Sequence, residues 1–480
     1  VSGRLEVHRR IRDRSAQHLI PEVRVVLRWL LRLLLGEGGF GRISVGAAMV
    51  IALGGGLGAY YVVAQGGNNV ANIWIDQNGG NCVRQSTAGA YVDADACSSF
   101  NTAITAASAG NSVGMMTGTY GNETISADKG AANVVFFEAS GQTVQVTTQL
   151  TANSAYSLDF ACGAGDMEFR DMEIRGPRIG FCQNGTKVND LTFTRIDSNI
   201  LSVICASNIL YDNGDLGPDP ASSRHPSIQV YDLGGPSGQC APDHITIQDS
   251  YLHDFTNPTD INNHTECLQV NAGDVIKVLR NRFYNCWSTA AIGSGGGANW
   301  SLTNFTVENN MFLSEQDQTQ RPCYLFNPNR CPVTDVQGDL CGGLSFKNNT
   351  FYTGIYFNIV FTCTVGDGDQ NYIVGNFGEA DPGNVCGANV TTYDKNVWQG
   401  GFGGDNDGCG SPGTDYVMGS GNTIFTGCSG FCIVSASDFH LASGSVAIDK
   451  GGTSFYPADD FDKQLRYLGT ASDAGADEKS

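Results

Sequence analysis

The chain is poor in positive charge once its first segment is passed. Of its 28 Lys and Arg, nine are arginines within residues 1–42; that segment holds four acids and carries +5, so the remainder carries −25. A field of that sign argues against a nucleic-acid partner and against purely electrostatic docking of a polyuronate, unless a local basic patch or a bound cation reverses it. Familiar catalytic signatures are missing too. There is no G-x-S-x-G elbow, no Walker A loop and no H-E-x-x-H, and no cysteine pair has the C-x-x-C spacing of a zinc knuckle. No long helical period follows the stretch near Phe100–Ser108, which excludes a helical bundle or repeat.

One long apolar run is present. Ile43–Ala64 has 22 uncharged residues, with Arg42 and eight further arginines before it. This predicts a transmembrane or signal-anchor helix with the N-terminus inside and the rest at the cell surface, or secretion if the chain is cleaved after Ala64. Within the basic segment 1–42, Arg24, Arg28 and Arg32 recur along an apolar stretch, a pattern for an interfacial helix on the membrane. All 16 cysteines follow, from Cys82 to Cys432, an even number that fits disulfides in an oxidising compartment. Cys162, Cys182 and Cys205 fall at similar places and suit bonds between neighbouring coils.

Beyond residue 100, short β-like runs alternate with Asn, Gly and Asp. Four segments superimpose: His244–His253, Val275–Tyr284, Asn304–Leu313 and Gly343–Tyr352, with weaker copies at Met167–Ile174 and Leu191–Ile196. Ile245, Ile276, Phe305 and Leu344 form one apolar column. Ile247, Val278, Val307 and Phe346 form a second, and Leu252, Phe283, Phe312 and Phe351 a third. Thr246, Lys277, Thr306 and Ser345 between the first two are polar, as strand alternation requires. Asn281, Asn310 and Asn349 mark a bend, with Ser250 in that place in the first copy. The copies are unevenly spaced, which a propeller does not tolerate and a parallel β-helix does. A second strand per coil includes Ile228-Gln229-Val230 and Leu268-Gln269-Val270, with Gln229 and Gln269 expected to point outward on one face.

The chain resembles secreted right-handed parallel β-helix proteins of the pectate-lyase-like superfamily. Asn111–Tyr120 is similar to the opening of that family. Ser445–Gly451, Asp460–Gly469 and Asp473–Glu478 resemble its closing "SPAIDxG … DxDGxxR … DxGAxE", with Val446 in place of proline and Lys463-Gln464 in place of Asp-Gly. The resemblance implies an all-β, right-handed parallel β-helix (solenoid), here preceded by the membrane helix. It does not imply a reaction. The expected organisation is a basic segment 1–42, an anchor 43–64, a linker and cap entry 65–99, a solenoid 100–440 and a closing segment 441–480, as a monomer.

His253, Asp254, Asp260, His264 and Glu266 form the densest polar cluster, at a loop leaving the sheet. With Lys277 and Arg280 they are the catalytic candidates. β-Elimination of a uronate-containing polysaccharide is the expected reaction: a histidine would be the base, and Lys277, Arg280 and a calcium ion would supply positive charge. It requires His264, Glu266 and a basic side chain in one exposed groove. The alternatives are a glycoside hydrolase using Asp254, Asp260 and Glu266, and a non-catalytic surface β-helix binding glycan or protein. Glycan contacts are expected from His225, Gln229, Tyr231, Gln269 and Trp287. Asp367, Asp369, Asp405 and Asp407 lie on glycine-rich turns suited to Ca2+.

Overall fold

The computed structural model describes residues 69–479, apart from the longer stretches 148–155, 218–227, 233–239, 255–265, 295–300, 314–333, 353–358, 364–371, 379–391, 400–410 and 419–439 and shorter pieces between them. The described chain winds into a parallel β-solenoid. One coil shows the plan. A long strand, Asp243–Gln248, meets a corner at Asp249-Ser250 and continues as a short strand, Tyr251–His253. The chain then crosses to a second sheet at Leu268–Val270 and returns to the next long strand, Gly273–Leu279. Each strand pairs in parallel with its counterpart one coil away.

The register follows the sequence columns. Ile245 pairs with Ile276 and Ile276 with Phe305; Ile247, Val278, Val307 and Phe346 follow one another, as do Leu252, Phe283, Phe312 and Phe351. Ile247, Val278, Val307 and Phe346 are all buried in one core. The weaker copies join the same columns, Met167 with Leu191 and Phe169 with Phe193. Like residues one above another let flat rings stack. Phe136, Phe169 and Phe193 lie nearly parallel at centroid separations of 4.8 and 5.5 Å, close to the strand spacing. At the start, α1 (Phe100–Ala106) places Phe100 against Phe136 and Tyr120 and covers the first coils. Ser99 and Thr102 form its capping box.

The corners are built from two successive columns. Asp171, Arg195, Asn213, Asp249, Arg280, Asn309 and Asn348 all have φ between +50° and +57°. This left-handed conformation turns the long strand into the short one, and Asn and Asp adopt it most readily. The next residue in each later coil is the ladder expected from sequence. Ser250 N–H donates to Asn281 Oδ1, Asn281 N–H to Asn310 Oδ1 and Asn310 N–H to Asn349 Oδ1, at 2.8–3.0 Å. Their amide groups donate back to Ile247, Val278 and Val307 carbonyls.

The closing segment lies along the flank. Leu441, Ala447, Ala474 and Ala476 pack on Met311 and Leu313, which leave the short strands on the side facing away from the core. The corner asparagines hold it: Asn309 donates to the Asp459 carbonyl and Asn348 to that of Asp473. Arg466 is buried and bonds Glu478, Asn309 and the Gly475 and Ala476 carbonyls. The acids of the family-like motif serve as backbone caps. Asp449 accepts from Thr470 and Ala471, Asp460 from Asp462, Gln464 and Glu478, and Asp473 from Asp449 and Lys479.

The expectation of a membrane helix ahead of the solenoid is corrected. No helix among the described residues is long and apolar enough to cross a membrane. The described α-helix, α1, has seven residues and spans only about 10 Å. Residues 1–42 and the run 43–64 lie outside the described residues. Single-pass anchoring, a membrane partner and the surface location that rested on them are therefore withdrawn.

Candidate functional site

His253 ends a short strand where the chain leaves the sheet. Its imidazole is clamped between two acids, Nε2 at 2.7 Å from Asp215 and Nδ1 at 2.9 Å from Asp254. Burial pulls the imidazole pKa down, but the two carboxylates outweigh it and the net shift is upward. The ring stacks on Tyr251 at 4.3 Å, and the Arg282 guanidinium lies 5.5 Å from the Tyr251 centroid. Tyr284, beside Tyr251, packs against the apolar cluster that Met311 and Leu313 share with the closing segment. Asp215 was not visible as a partner because it lies 38 residues upstream. A signal was there: Asn208–Gly217 (NILYDNGDLG) is a further copy of His244–His253, pairing Asp215 with Tyr251 and Leu216 with Leu252.

Of the remaining catalytic candidates, three are described, Glu266, Lys277 and Arg280, and each has its own surroundings. Glu266 is 2% exposed and packs against Gly293, where a Cβ would come within 2.7 Å of its Cγ. Arg280 is a corner residue committed to Asp249 at 2.8 Å, with Asp459 at 3.3 Å. Lys277 is exposed on the long-strand face, between Thr246 and Thr306. Asp260 and His264 lie outside the described residues, as do His225 and Trp287.

A different arrangement occupies the second sheet. Asp159, Arg178, Ser202, Gln229 and Gln269 are in register on consecutive coils, over about 19 Å at the normal strand spacing. Strand alternation turns Leu268 and Val270 inward and both glutamines outward, where Gln229 Nε2 donates to Gln269 Oε1 at 3.0 Å. Arg178 forms a two-point bond with Asp159, at 2.6 and 2.7 Å. Its guanidinium lies 4.8 Å from the Tyr156 ring centroid and 4.4 Å from that of Phe181, which is 49% exposed. The Tyr156 hydroxyl is 3.1 Å from Ser202 Oγ. Tyr231 follows the Gln229 strand, and burial raises its phenol to about 12.

Two further features bear on cofactors and compartment. His440, Asp462 and Asp477 bring one donor atom each within 4.8 Å of one another, a group that could hold a metal ion. Burial holds Asp477 up to about 6. The expected calcium residues Asp367, Asp369, Asp405 and Asp407 lie outside the described residues. Disulfides join Cys82–Cys97, Cys205–Cys240 and Cys267–Cys286. Cys162 is also disulfide-bonded and packs beside Cys205 and Cys240, while Cys182 lies outside the described residues.

The register defines a protein of the parallel β-solenoid class. No family model matches the chain, and no curated protein matches it. Solved structures of similar shape include the pectate lyase Pel9A, with 15% identity, 85% of this chain and 96% of that one covered, and a TM-score of 0.49. PfbA, a surface adhesin of Streptococcus pneumoniae, aligns at 13% identity over 60% and 77%, with a TM-score of 0.42. An alginate lyase from Paenibacillus sp. aligns at 12% identity over 57% and 96%, with a TM-score of 0.30. At such identities the likeness is one of fold, and it assigns no reaction.

Proposed function

We propose that this chain is an exported carbohydrate-active β-solenoid that binds a polysaccharide strand across the face carrying Gln229 and Gln269. The observation that carries this reading is the in-register pair of outward amides, bordered by Tyr156, Phe181 and Tyr231; Ser202, the next member of the column, is buried beside the Tyr156 hydroxyl. Amides exchange hydrogen bonds with sugar hydroxyls, and aromatic rings take the C–H faces of sugars. Repetition at the strand spacing suits a polymer of like units. The disulfides support an oxidising, extracellular setting.

β-Elimination on a uronate glycan draws less support. Glu266 is buried rather than on an exposed groove, and Arg280 is tied to Asp249. His440, Asp462 and Asp477 offer a nitrogen and two carboxylates that could hold a divalent cation such as calcium, zinc or manganese, separately from the calcium residues expected at Asp367, Asp369, Asp405 and Asp407.

The test is electrophoresis of the disulfide-intact full chain through gels loaded with individual polysaccharides. Retardation by at least one is expected, with a loss of roughly tenfold or more in affinity for Gln229→Ala/Gln269→Ala at unchanged circular dichroism. A double variant that binds like the parent would remove this face from the function. Release of unsaturated uronide products would restore the lyase reading.

A further inference from the structure

The binding face carries its own charge control. Arg178 is the cation of the Asp159–Gln269 column, and both its Nε and its Nη2 are spent on Asp159. The rings of Tyr156 and Phe181 lie against the same guanidinium. The remaining members of the column, Ser202, Gln229 and Gln269, are neutral. A polyuronate brings a carboxylate on every sugar and gains affinity only where cations are left to meet it. Here the carboxylates would meet amides and an already neutralised arginine, on a chain that carries −25 beyond residue 42. A neutral glycan pays no such desolvation, since its hydroxyls pair with the amides in both directions.

We infer that this face selects neutral polysaccharides over polyuronates, and that Asp159 sets the selectivity by neutralising Arg178. The inference rests on the proposed glycan-binding reading and adds the ligand class and the residue responsible. Its converse is specific. Asp159→Asn preserves shape and one hydrogen-bond acceptor for Arg178 but leaves the guanidinium with a net positive charge, so the same face should then admit an acidic polymer.

The experiment compares the full chain and Asp159→Asn by affinity electrophoresis against a neutral glucomannan and against polygalacturonate, at low and at high salt. The parent is expected to bind glucomannan and to ignore polygalacturonate. Asp159→Asn is expected to gain polygalacturonate binding of roughly tenfold or more at low salt, lost again at high salt, because a partly exposed charge is screened. Gln269→Lys adds an unpaired cation to the same column without touching the ion pair, and it should show the same gain. It keeps the test decisive if Asp159→Asn folds poorly. A parent that binds polygalacturonate as well as glucomannan overturns the inference, as does the absence of a gain in both variants. A parent that binds no polysaccharide at all overturns the glycan-binding reading beneath it.

Discussion

Replacing Asn310 by alanine should cost far more than a polar-to-alanine change at the surface. Asn310 is wholly buried. Its amide group donates to the Val278 carbonyl at 2.8 Å, the Glu308 carbonyl at 3.0 Å and Asn349 Oδ1 at 3.1 Å. Its carbonyl accepts from the Asn281 N–H at 2.8 Å and from the Asn281 amide at 3.1 Å. Truncation strips partners from the rungs above and below at once. Each buried polar group left unpaired costs about 1–3 kcal/mol, so the loss should be about 3–5 kcal/mol once water entry relieves part of it. That is a large share of the about 5–15 kcal/mol typical of a folded domain. Asn310→Ser is the internal control. Ser250 fills the first rung of this ladder, and its hydroxyl bonds the Gln248 carbonyl at 2.7 Å, so serine at 310 should lose distinctly less. Urea unfolding followed by circular dichroism, with disulfides intact, would read both. Losses under about 1 kcal/mol for both variants would mean that the ladder is decoration rather than a source of stability.

Three further outcomes follow from the same geometry. Arg466→Met should release the closing segment, because Glu478 would remain buried without its cation at a cost of about 3–5 kcal/mol; hydrogen exchange should rise there first, and Arg466→Met/Glu478→Gln should recover part of the protection. Burial raises Asp473 to about 6 against an unfolded value of about 3.9, so the folded segment binds the extra proton. Its docking should therefore be tighter at pH 5 than at pH 8, the penalty growing as pH rises through about 6, and hydrogen exchange at the two pH values, corrected for intrinsic rates, checks the sign. Cys286→Ser opens a staple of sequence separation 19 between a short strand and the second sheet, for a loss of about 3 kcal/mol measured as a lowered urea midpoint.

The interior was legible in the sequence because a solenoid repeats its core. Ile247, Val278, Val307 and Phe346 are uneven in spacing yet identical in role, and each was recognisable from the strand around it. The asparagine ladder and the outward pair Gln229 and Gln269 were legible for the same reason. What lies beside the coils was not. Asn309 meets Asp459 across a separation of 150 residues, and nothing periodic connects them. The left-handed corner column was hidden because Arg280 and Asn309 share a backbone conformation rather than a chemistry. His440, Asp462 and Asp477 were missed because the closing motif reads as a family signature, and its fold-back geometry is set by the caps of Asp460 and Asp473.

The densest chemical cluster in the sequence and the denser associations in space also differ for a physical reason. Neighbours in a coil are dispersed around the circumference, whereas residues one coil apart lie about 4.8 Å from each other. Partners are therefore found one repeat away, and three arginines show the rule: Arg178 lies on Asp159, Arg195 on Asp171 and Arg280 on Asp249, each acid belonging to the preceding coil. A basic residue with an acid beneath it in register is an element of the scaffold, and its charge is spent. Lys277 has threonines on both sides in its column, with Glu308 as the nearby acid whose charge it feels. Of the two basic catalytic candidates, it is the one that register does not neutralise. If unsaturated uronides were ever released by this protein, Lys277→Met should abolish them while Arg280→Met should first destabilise the corner; the reverse order would show that pairing between coils does not decide which charges remain available for chemistry.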